Sequence, residues 1–178
     1  MKKIKTKIKN LFIIKPKTYF DNRGFFFESY VKKKYSQYSK RLFCQDNLSL
    51  SKKNVLRGIH FQVYKPQYQL FYPIKGELDV FLVDLRPKSK TFKKNIFFNL
   101  KFDCYKQILT SPGIGTAFYT KGKENIVIYF VSEYYDPKNE MGIKWNDRDL
   151  KINWKCKRPI ISKKDQQNHN FSDINFEK

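Results

Sequence analysis

One of the two histidines in the chain, His60, stands in the apolar, strand-like segment VLRGIHFQ at residues 55–62. An imidazole titrates near neutrality, so a histidine in a largely dry pocket is well suited to proton transfer at physiological pH. A histidine in an apolar strand is nevertheless more often a hydrogen-bonded core residue than a catalyst. This segment alone leaves both interpretations open.

Further polar residues fall at the edges of strand-like segments, where their side chains could converge on one cavity. They are Arg23, Glu28, Gln45, Asn47, Arg57, Gln69, Thr116, Tyr129 and Tyr135. Singly, most have ordinary explanations: an arginine in a turn such as Arg23 is solvated, Asn47 satisfies local backbone, and Tyr129 packs in the core. Their order and spacing carry more information than any one of them.

Arg57 lies three residues before His60, which sets a geometric problem. Side chains alternate between the faces of a regular strand, so these two would point to opposite sides. They reach one cavity only if the chain twists or bulges near Gly58. The question matters because the planar fork of an arginine binds the oxygens of a diphosphate bidentately.

The segments that must position these residues are short and mostly alternate with a period of two. They lie at residues 11–14, 24–28, 45–50, 55–61, 70–74, 78–83, 95–100, 107–110, 117–119 and 126–134. Residues 78–83 are apolar on both faces, which predicts a central strand. Only residues 30–42 have a pattern that suits a helix. Many short strands joined by close turns predict an all-β protein, a sandwich or barrel of jelly-roll type.

Length and charge limit the kinds of protein that this chain can be. Its 178 residues predict one domain, residues 1–178, with 17 Phe and 12 Tyr available for a core. Lys+Arg exceed Asp+Glu by 37 to 16, but the lysines are scattered and read as solvated faces. We therefore expect neither a nucleic-acid nor a membrane partner. The polar tail at residues 163–178 is expected to be the most mobile part.

The cysteines and the N-terminus indicate the compartment. Cys44, Cys104 and Cys156 are odd in number and widely spaced, which suits reduced thiols in the cytoplasm better than disulfides or a zinc site. The apolar run at residues 11–14 is too short for the core of a signal peptide. A metal site would need clustered histidines, so no metal and no other cofactor is expected.

Five blocks in a fixed order carry a resemblance that no single block would support. They are DNRGFFFE at residues 21–28, QDNLSLS at 45–51, VLRGIHFQ at 55–62, GELDV at 76–80 with VDLR at 83–86, and residues 129–140 with WND at 145–147. In these blocks the chain resembles the dTDP-4-dehydrorhamnose 3,5-epimerase family, from residue 21 to about residue 165.

The resemblance implies a cupin-like jelly-roll barrel without metal, and a homodimer formed by exchange of N-terminal strands. We expect the crossing strand near residues 11–14, because that apolar run has no evident hairpin mate in its own chain. The implied substrate is a nucleoside-diphosphate 4-keto-6-deoxy sugar, a hexose or a heptose.

The resemblance also implies roles for the site residues. His60 matches the general base, Asp165 the carboxylate that orients it, and Tyr129 the acid on the opposite face. The remaining matches surround the sugar and diphosphate, with Tyr135 near the nucleotide; they are Arg23, Glu28, Gln45, Asn47 and Arg57. Without the resemblance, Asp165 would be taken as a solvated charge in the polar tail.

This assignment makes chemical sense, because a 4-keto group acidifies the hydrogens at C3 and C5. A histidine can remove one of them to give an enolate, and a phenol opposite can return a proton with inverted configuration. Two positions depart from the family: Gln69 stands where it has a lysine and Thr116 where it has a histidine. The departures leave open inversion at C3 only, another 4-keto sugar such as a GDP-linked 6-deoxy-heptose, or lost activity.

Two other functions compete with epimerisation. A 3,4-ketoisomerase on a related jelly roll would move the keto group to C3. A non-catalytic module would use Arg23, Arg57 and the lysines to bind an anion or a nucleotide sugar without turnover. Both remain alternatives at the level of the sequence.

Overall fold

The structure is a computed structural model that describes residues 1–156 and 158–176. Thirteen strands form two antiparallel sheets and one separate hairpin. The larger sheet has the order β1-β2-β10-β7-β12-β5. Its strands are β1 Lys2–Lys5, β2 Phe12–Lys15, β5 Gln45–Lys52, β7 Gln69–Lys75, β10 Gln107–Thr110 and β12 Glu124–Val131.

The second sheet faces the first and has the order β13-β6-β11-β8-β9. Its strands are β6 Leu56–Gln62, β8 Glu77–Asp84, β9 Asn95–Lys101, β11 Ile114–Thr120 and β13 Glu140–Gly142. The separate hairpin joins β3 Thr18–Asp21 to β4 Gly24–Phe27. The helices of the described chain are short: α1 Lys32–Tyr35, α2 Lys163–Gln166, and 3-10 turns at Phe102–Cys104 and Phe171–Asp173.

The expected all-β class is confirmed, and each expected strand segment overlaps an observed strand, although the segment at 126–134 extends three residues past the end of Glu124–Val131. The alternation of apolar and polar residues did not predict β1, β3 or β13. These strands have only three or four residues, too few to show a period of two. The helix expected at residues 30–42 is wrong in extent, since only Lys32–Tyr35 is helical. Four residues make barely one turn, and such a helix depends on packing for its stability.

Strand β8 explains why a segment can be apolar on both faces. It lies between β11 and β9, and its residues are buried from Leu78 to Asp84. Leu82 and its alternating neighbours pack against β7, β10 and β12 of the facing sheet. Phe81 points the other way and packs under the C-terminal segment, against Trp154. The expected central strand is confirmed, and its second apolar face is covered by the chain's own C-terminal residues.

Two expectations about the chain ends need correction. The run at residues 11–14 was expected to lack a partner in its own chain, yet Phe12–Lys15 pairs with both Lys2–Lys5 and Gln107–Thr110. Lysine-rich β1 shows no apolar pattern, so alternation could not reveal it as the mate. The tail was expected to be mobile, but residues 163–176 contain α2, and Asp165 and Phe171 are both only 4% exposed.

The described part of the chain contains no helix whose length and apolarity would carry it across a bilayer.

Candidate active site

A cavity of about 560 Å³ opens between the two sheets, and it gathers most of the residues that the sequence singled out. Strands β5, β7 and β12 supply one wall, β6 and β11 the other, and the C-terminal segment closes one side. Nine of the eleven expected site residues line it: Gln45, Asn47, Arg57, His60, Gln69, Thr116, Tyr129, Tyr135 and Asp165.

His60 and Asp165 form the central polar contact of this cavity. His60 Nε2 lies 2.7 Å from Asp165 Oδ1, and the His60 side chain keeps 31% of its surface exposed while that of Asp165 keeps 4%. The other carboxylate oxygen accepts a hydrogen bond from the Gly58 backbone N–H at 3.2 Å. Ser162 caps α2 by accepting from the Asp165 N–H, which fixes the carboxylate's position. The carboxylate therefore orients the imidazole.

The protonation of this pair follows from its surroundings. Burial acts to raise the pKa of Asp165, but the hydrogen bonds from His60 and Gly58 outweigh it and leave the pKa below its ordinary value. The carboxylate is therefore ionised at neutral pH. With Nε2 of His60 donating to it, Nδ1 is the ring nitrogen that remains to accept a proton.

An irregularity in β6 brings Arg57 and His60 to the same cavity. Opposite β11, His60 pairs with Thr116 but Arg57 pairs with Phe118, so the register shifts between them. From Arg57 to His60 the chain advances three residues on β6, whereas the paired positions on β11 are only two residues apart. One extra residue on one strand defines a β-bulge. Gly58 has φ +106°, and a Cβ there would lie 2.5 Å from the Thr116 carbonyl oxygen. The bulge that the sequence required near Gly58 is thus present.

Tyr129 approaches the cavity from the opposite sheet. It lies on β12, paired with Asn47 on one side and Phe71 on the other. Burial and the negative charge of Glu140 raise the pKa of its phenol, although the positive charge of Arg57 opposes them. The hydroxyl therefore stays protonated at physiological pH and can donate a proton. A base on one sheet and an acid on the facing sheet can address two faces of one bound molecule.

Amides and a tyrosine shape the wall beside Tyr129. Gln45 Nε2 donates to Asn47 Oδ1 at 2.8 Å, and Gln45 Oε1 accepts from the Tyr135 backbone N–H at 3.1 Å. The Tyr135 ring is half exposed, at 52%. These contacts hold an aromatic surface at the mouth of the cavity, where a base or sugar can pack.

The sequence interpretation missed Glu140 and Lys164, which also line the cavity. They form an ion pair with each other, and Tyr135 Oη donates to Glu140 Oε2 at 3.3 Å. The contact with Glu140 raises the pKa of Lys164 despite partial burial. A signal existed, because Lys164 directly precedes Asp165 and Glu140 ends the block at residues 129–140. Ser49 Oγ and Gln67 Oε1 are buried polar atoms without a partner on residues that line the same cavity.

Two expected site residues, Arg23 and Glu28, do not reach the cavity of their own chain. Arg23 forms an ion pair with Asp21 at 2.6 Å and its side chain is 86% exposed. Glu28 pairs with Lys34. The physical reason is that β3 and β4 form backbone ladders only with each other. Their hairpin packs through Phe25 on Tyr105 and through Phe27 on Tyr72, which leaves Arg23 away from the cavity.

No group of three or more His, Cys, Asp or Glu residues suited to hold a metal lies within residues 1–156 and 158–176. The groups of the cavity that suit an anionic ligand are Arg57 and Lys164.

A jelly roll with a carboxylate-bound histidine facing a phenol across its cavity defines a class of protein, an enzyme equipped to move protons at a bound small molecule. Residues 5–173 match the family described as dTDP-4-dehydrorhamnose 3,5-epimerase, and the chain belongs to that family. The family and the cupin-like fold expected from the sequence are confirmed, as is the class of enzyme, a nucleotide-sugar epimerase.

Relatives and solved structures agree with this placement. A dTDP-4-dehydrorhamnose 3,5-epimerase of Salmonella typhimurium is 39% identical over 166 residues, 91% of each chain. The crystal structure of a dTDP-6-deoxy-D-glucose-3,5-epimerase of Legionella pneumophila, in complex with dTDP-4-keto-L-rhamnose, has a TM-score of 0.94 at 34% identity, covering 98% of this chain and 94% of that one. A dTDP-4-dehydrorhamnose 3-epimerase of Streptomyces niveus is 32% identical over 89% of this chain and 78% of its own.

Proposed function

We propose that the cavity binds a dTDP-linked 4-keto-6-deoxy sugar and that His60 and Tyr129 invert C3, C5 or both. The observation that carries the proposal is the placement of the His60–Asp165 pair on one wall and Tyr129 on the other. The Legionella relative binds a dTDP-linked sugar, and the curated relatives are named for dTDP-linked substrates. Both facts favour dTDP over GDP as the nucleotide.

The reaction needs no redox step. His60 takes the proton from the carbon next to the ketone, and the electrons of that C–H bond form an enolate with its charge on O4. Asp165 stabilises the imidazolium that results. Tyr129 then gives its hydroxyl proton to the opposite face of the carbon as the C=O bond re-forms. Exchange with solvent returns the phenolate and the imidazolium to their starting states.

The rest of the cavity holds the nucleotide end of the substrate. Arg57 and Lys164 are its cations for the diphosphate, and Arg57 is held in place by a hydrogen bond from its Nε to Ser51 Oγ at 3.1 Å. Tyr135 packs against the nucleoside, and Gln45 and Asn47 bind sugar hydroxyls. A cytoplasmic location belongs to the proposal, in keeping with the free thiols of Cys44, Cys104 and Cys156.

We propose further that the enzyme is a homodimer in which the β3–β4 hairpin reaches the partner. The hairpin belongs to neither of the two larger sheets and rests on its own chain through contacts of Phe25 and Phe27 with Tyr105. It exposes large aromatic side chains: Tyr19 at 51%, Phe20 at 67%, Phe25 at 40% and Phe26 at 64%. A second copy would cover them and would receive Arg23 and Glu28 at its own cavity.

Mixing two inactive variants tests the dimer directly. His60→Asn chains keep Arg23, and Arg23→Ala chains keep His60. If the hairpin serves the partner's cavity, unfolding and refolding the two together restores deuterium exchange in mixed dimers, whereas each alone stays low. No recovery on mixing, with both chains shown to associate by light scattering, would place Arg23 outside the partner's site.

Deuterium incorporation tests the reaction itself. The protein is incubated with dTDP-4-keto-6-deoxyglucose in deuterated water, and mass spectrometry counts deuterium at C3 and C5 while NMR identifies the product. An epimerase gives exchange with a 4-keto product of inverted configuration. A product with its ketone at C3 would identify a 3,4-ketoisomerase, and binding without exchange of this or a GDP-linked 4-keto sugar would identify a non-catalytic module.

A further inference from the structure

Gln69 and Thr116 line the cavity on strands that neighbour the proposed acid and the proposed base. Thr116 on β11 is the cross-strand partner of His60. Gln69 begins β7 two residues before Phe71, which pairs with Tyr129. All four polar side chains line the same cavity. The space between Gln69 and Thr116 therefore belongs to the part of the cavity where proton transfer takes place.

A hydrogen bond joins these two residues across the sheets. Thr116 Oγ1 donates to Gln69 Oε1 at 3.3 Å. Within residues 1–156 and 158–176, this is the one hydrogen bond that the Gln69 side chain makes. A primary amide has an acceptor end and a donor end. Because Thr116 occupies the acceptor end, the NH₂ end of Gln69 is left to donate to a bound molecule.

The charged donors of the cavity, Lys164 and Arg57, each have a partner in the protein. Lys164 is paired with Glu140, beside Tyr135 at the mouth. Arg57 donates to Ser51 Oγ and to the Leu50 carbonyl oxygen on β5. The NH₂ group of Gln69 has no hydrogen-bond partner among residues 1–156 and 158–176 and is thus a neutral donor available to a bound molecule.

We infer that Gln69 Nε2 donates to the ketone oxygen of the substrate and to the enolate oxygen that forms when His60 removes the proton, and that Thr116 is the positioning residue that turns the amide for this task. The inference rests on the proposed function. A neutral amide stabilises an oxyanion less than a charged donor does. The rate then depends strongly on the acidity and placement of each C–H group, so the enzyme exchanges C3 and C5 at different rates.

Matched substitutions separate the two roles. Gln69→Leu removes the donor and lowers kcat by about 100-fold, as loss of one oxyanion donor does elsewhere. Thr116→Val removes the hydroxyl without changing the shape and lowers kcat by about 10-fold with KM changed less than about twofold, because the amide turns freely. Thr116→Ser retains the hydroxyl and restores most of the loss. The affinity for dTDP stays the same in every variant.

A double variant distinguishes positioning from a merely structural role. If Thr116 acts through Gln69, adding Thr116→Val to the Gln69→Leu variant lowers kcat no further. An equal loss in both backgrounds, or full kcat in Thr116→Val, would overturn the positioning role. Full kcat in Gln69→Leu, with exchange intact in the unaltered enzyme, would overturn the inference and leave the proposed function standing. An unaltered enzyme that exchanges no 4-keto sugar would overturn both.

Discussion

His60 Nε2 and Asp165 Oδ1 lie 2.7 Å apart although 105 positions separate them in the chain. The contact joins the bulged strand β6 to the C-terminal helix α2, and the Gly58 N–H adds a second bond to the same carboxylate. The carboxylate that orients His60 is therefore in place only when the C-terminal segment is packed beside β6. The following predictions depend on this pair and on the groups that surround it.

Replacing His60 by Asn should abolish deuterium exchange from solvent into the 4-keto sugar. The shorter amide of Asn cannot take a proton from carbon, and it does not extend to the position of Nε2, which contacts Asp165. The affinity for dTDP, measured by calorimetry, should change by less than about twofold. His169→Asn is the matched control, because His169 is exposed and lies outside the cavity. Substantial exchange by the His60 variant would show that another group is the base.

Tyr129→Phe should separate exchange from inversion. His60 can still remove a proton and return a deuteron to the same face, so some deuterium uptake at the carbon next to the ketone remains. Without the phenol, the opposite face receives no proton and NMR should detect little inverted product. Tyr64→Phe, at a tyrosine that is 57% exposed and outside the cavity, should behave as the unaltered enzyme. Normal inversion by Tyr129→Phe would assign the acid to a different residue.

Asp165→Asn should lower kcat by about 100-fold, since the amide neither fixes the tautomer of His60 nor stabilises its protonated form. The affinity for dTDP should remain, because Asp165 contacts the histidine rather than the nucleotide. Steady-state kinetics with the 4-keto sugar measure the effect. Activity close to that of the unaltered enzyme would mean that burial alone orients the imidazole.

Gln69→Lys should speed deuterium uptake at the slower of the two carbons. A cationic donor beside O4 stabilises the enolate oxygen more strongly than an amide, so the less acidic C–H group gains most. The ratio of deuterium at C3 to that at C5, followed over time by mass spectrometry, is the measurement. Equal rates at both carbons in the unaltered enzyme would show that oxyanion support does not limit either step.

Asp84 should make stability depend on acid pH. Burial acts to raise its pKa, but bonds from Arg86, Ser89 and Thr91 outweigh it and lower the pKa from 3.8 to about 2. Its contribution is therefore fully present above pH 3.8 and is lost as the pH falls through about 2. Asp84→Asn should reduce the free energy of unfolding by about 2 kcal/mol at neutral pH.

Denaturant unfolding at a series of pH values measures this effect. The difference between the Asp84→Asn variant and the unaltered protein should shrink as the pH falls below 3.8. Asp103→Asn, at an exposed carboxylate, should match the unaltered protein at every pH. A difference that stays constant down to about pH 2 would assign the effect to packing rather than to ionisation.

The amino-acid sequence by itself determined ten of the thirteen described strands, the all-β class and most of the cavity wall. Alternation is a property of neighbouring residues, so segments such as Gln45–Lys52 and Glu124–Val131 can be found without knowing what they pair with. The roles proposed for His60 and Tyr129 came from the family resemblance that their blocks carry, since each block alone also suited a core residue. The three-residue spacing of Arg57 and His60 also showed that the two could share one cavity only if the chain twists or bulges near Gly58.

Tertiary structure alone decided which distant groups meet. No local pattern shows that Asp165 is buried beside His60, that Lys164 pairs with Glu140, or that lysine-rich Lys2–Lys5 is the mate of Phe12–Lys15. Arg23 was predicted to be a site residue, yet the β3–β4 hairpin holds it away from the cavity of its own chain. Such contacts depend on sheet order and loop closure over a hundred residues, which the short-range periodicity of a chain does not encode.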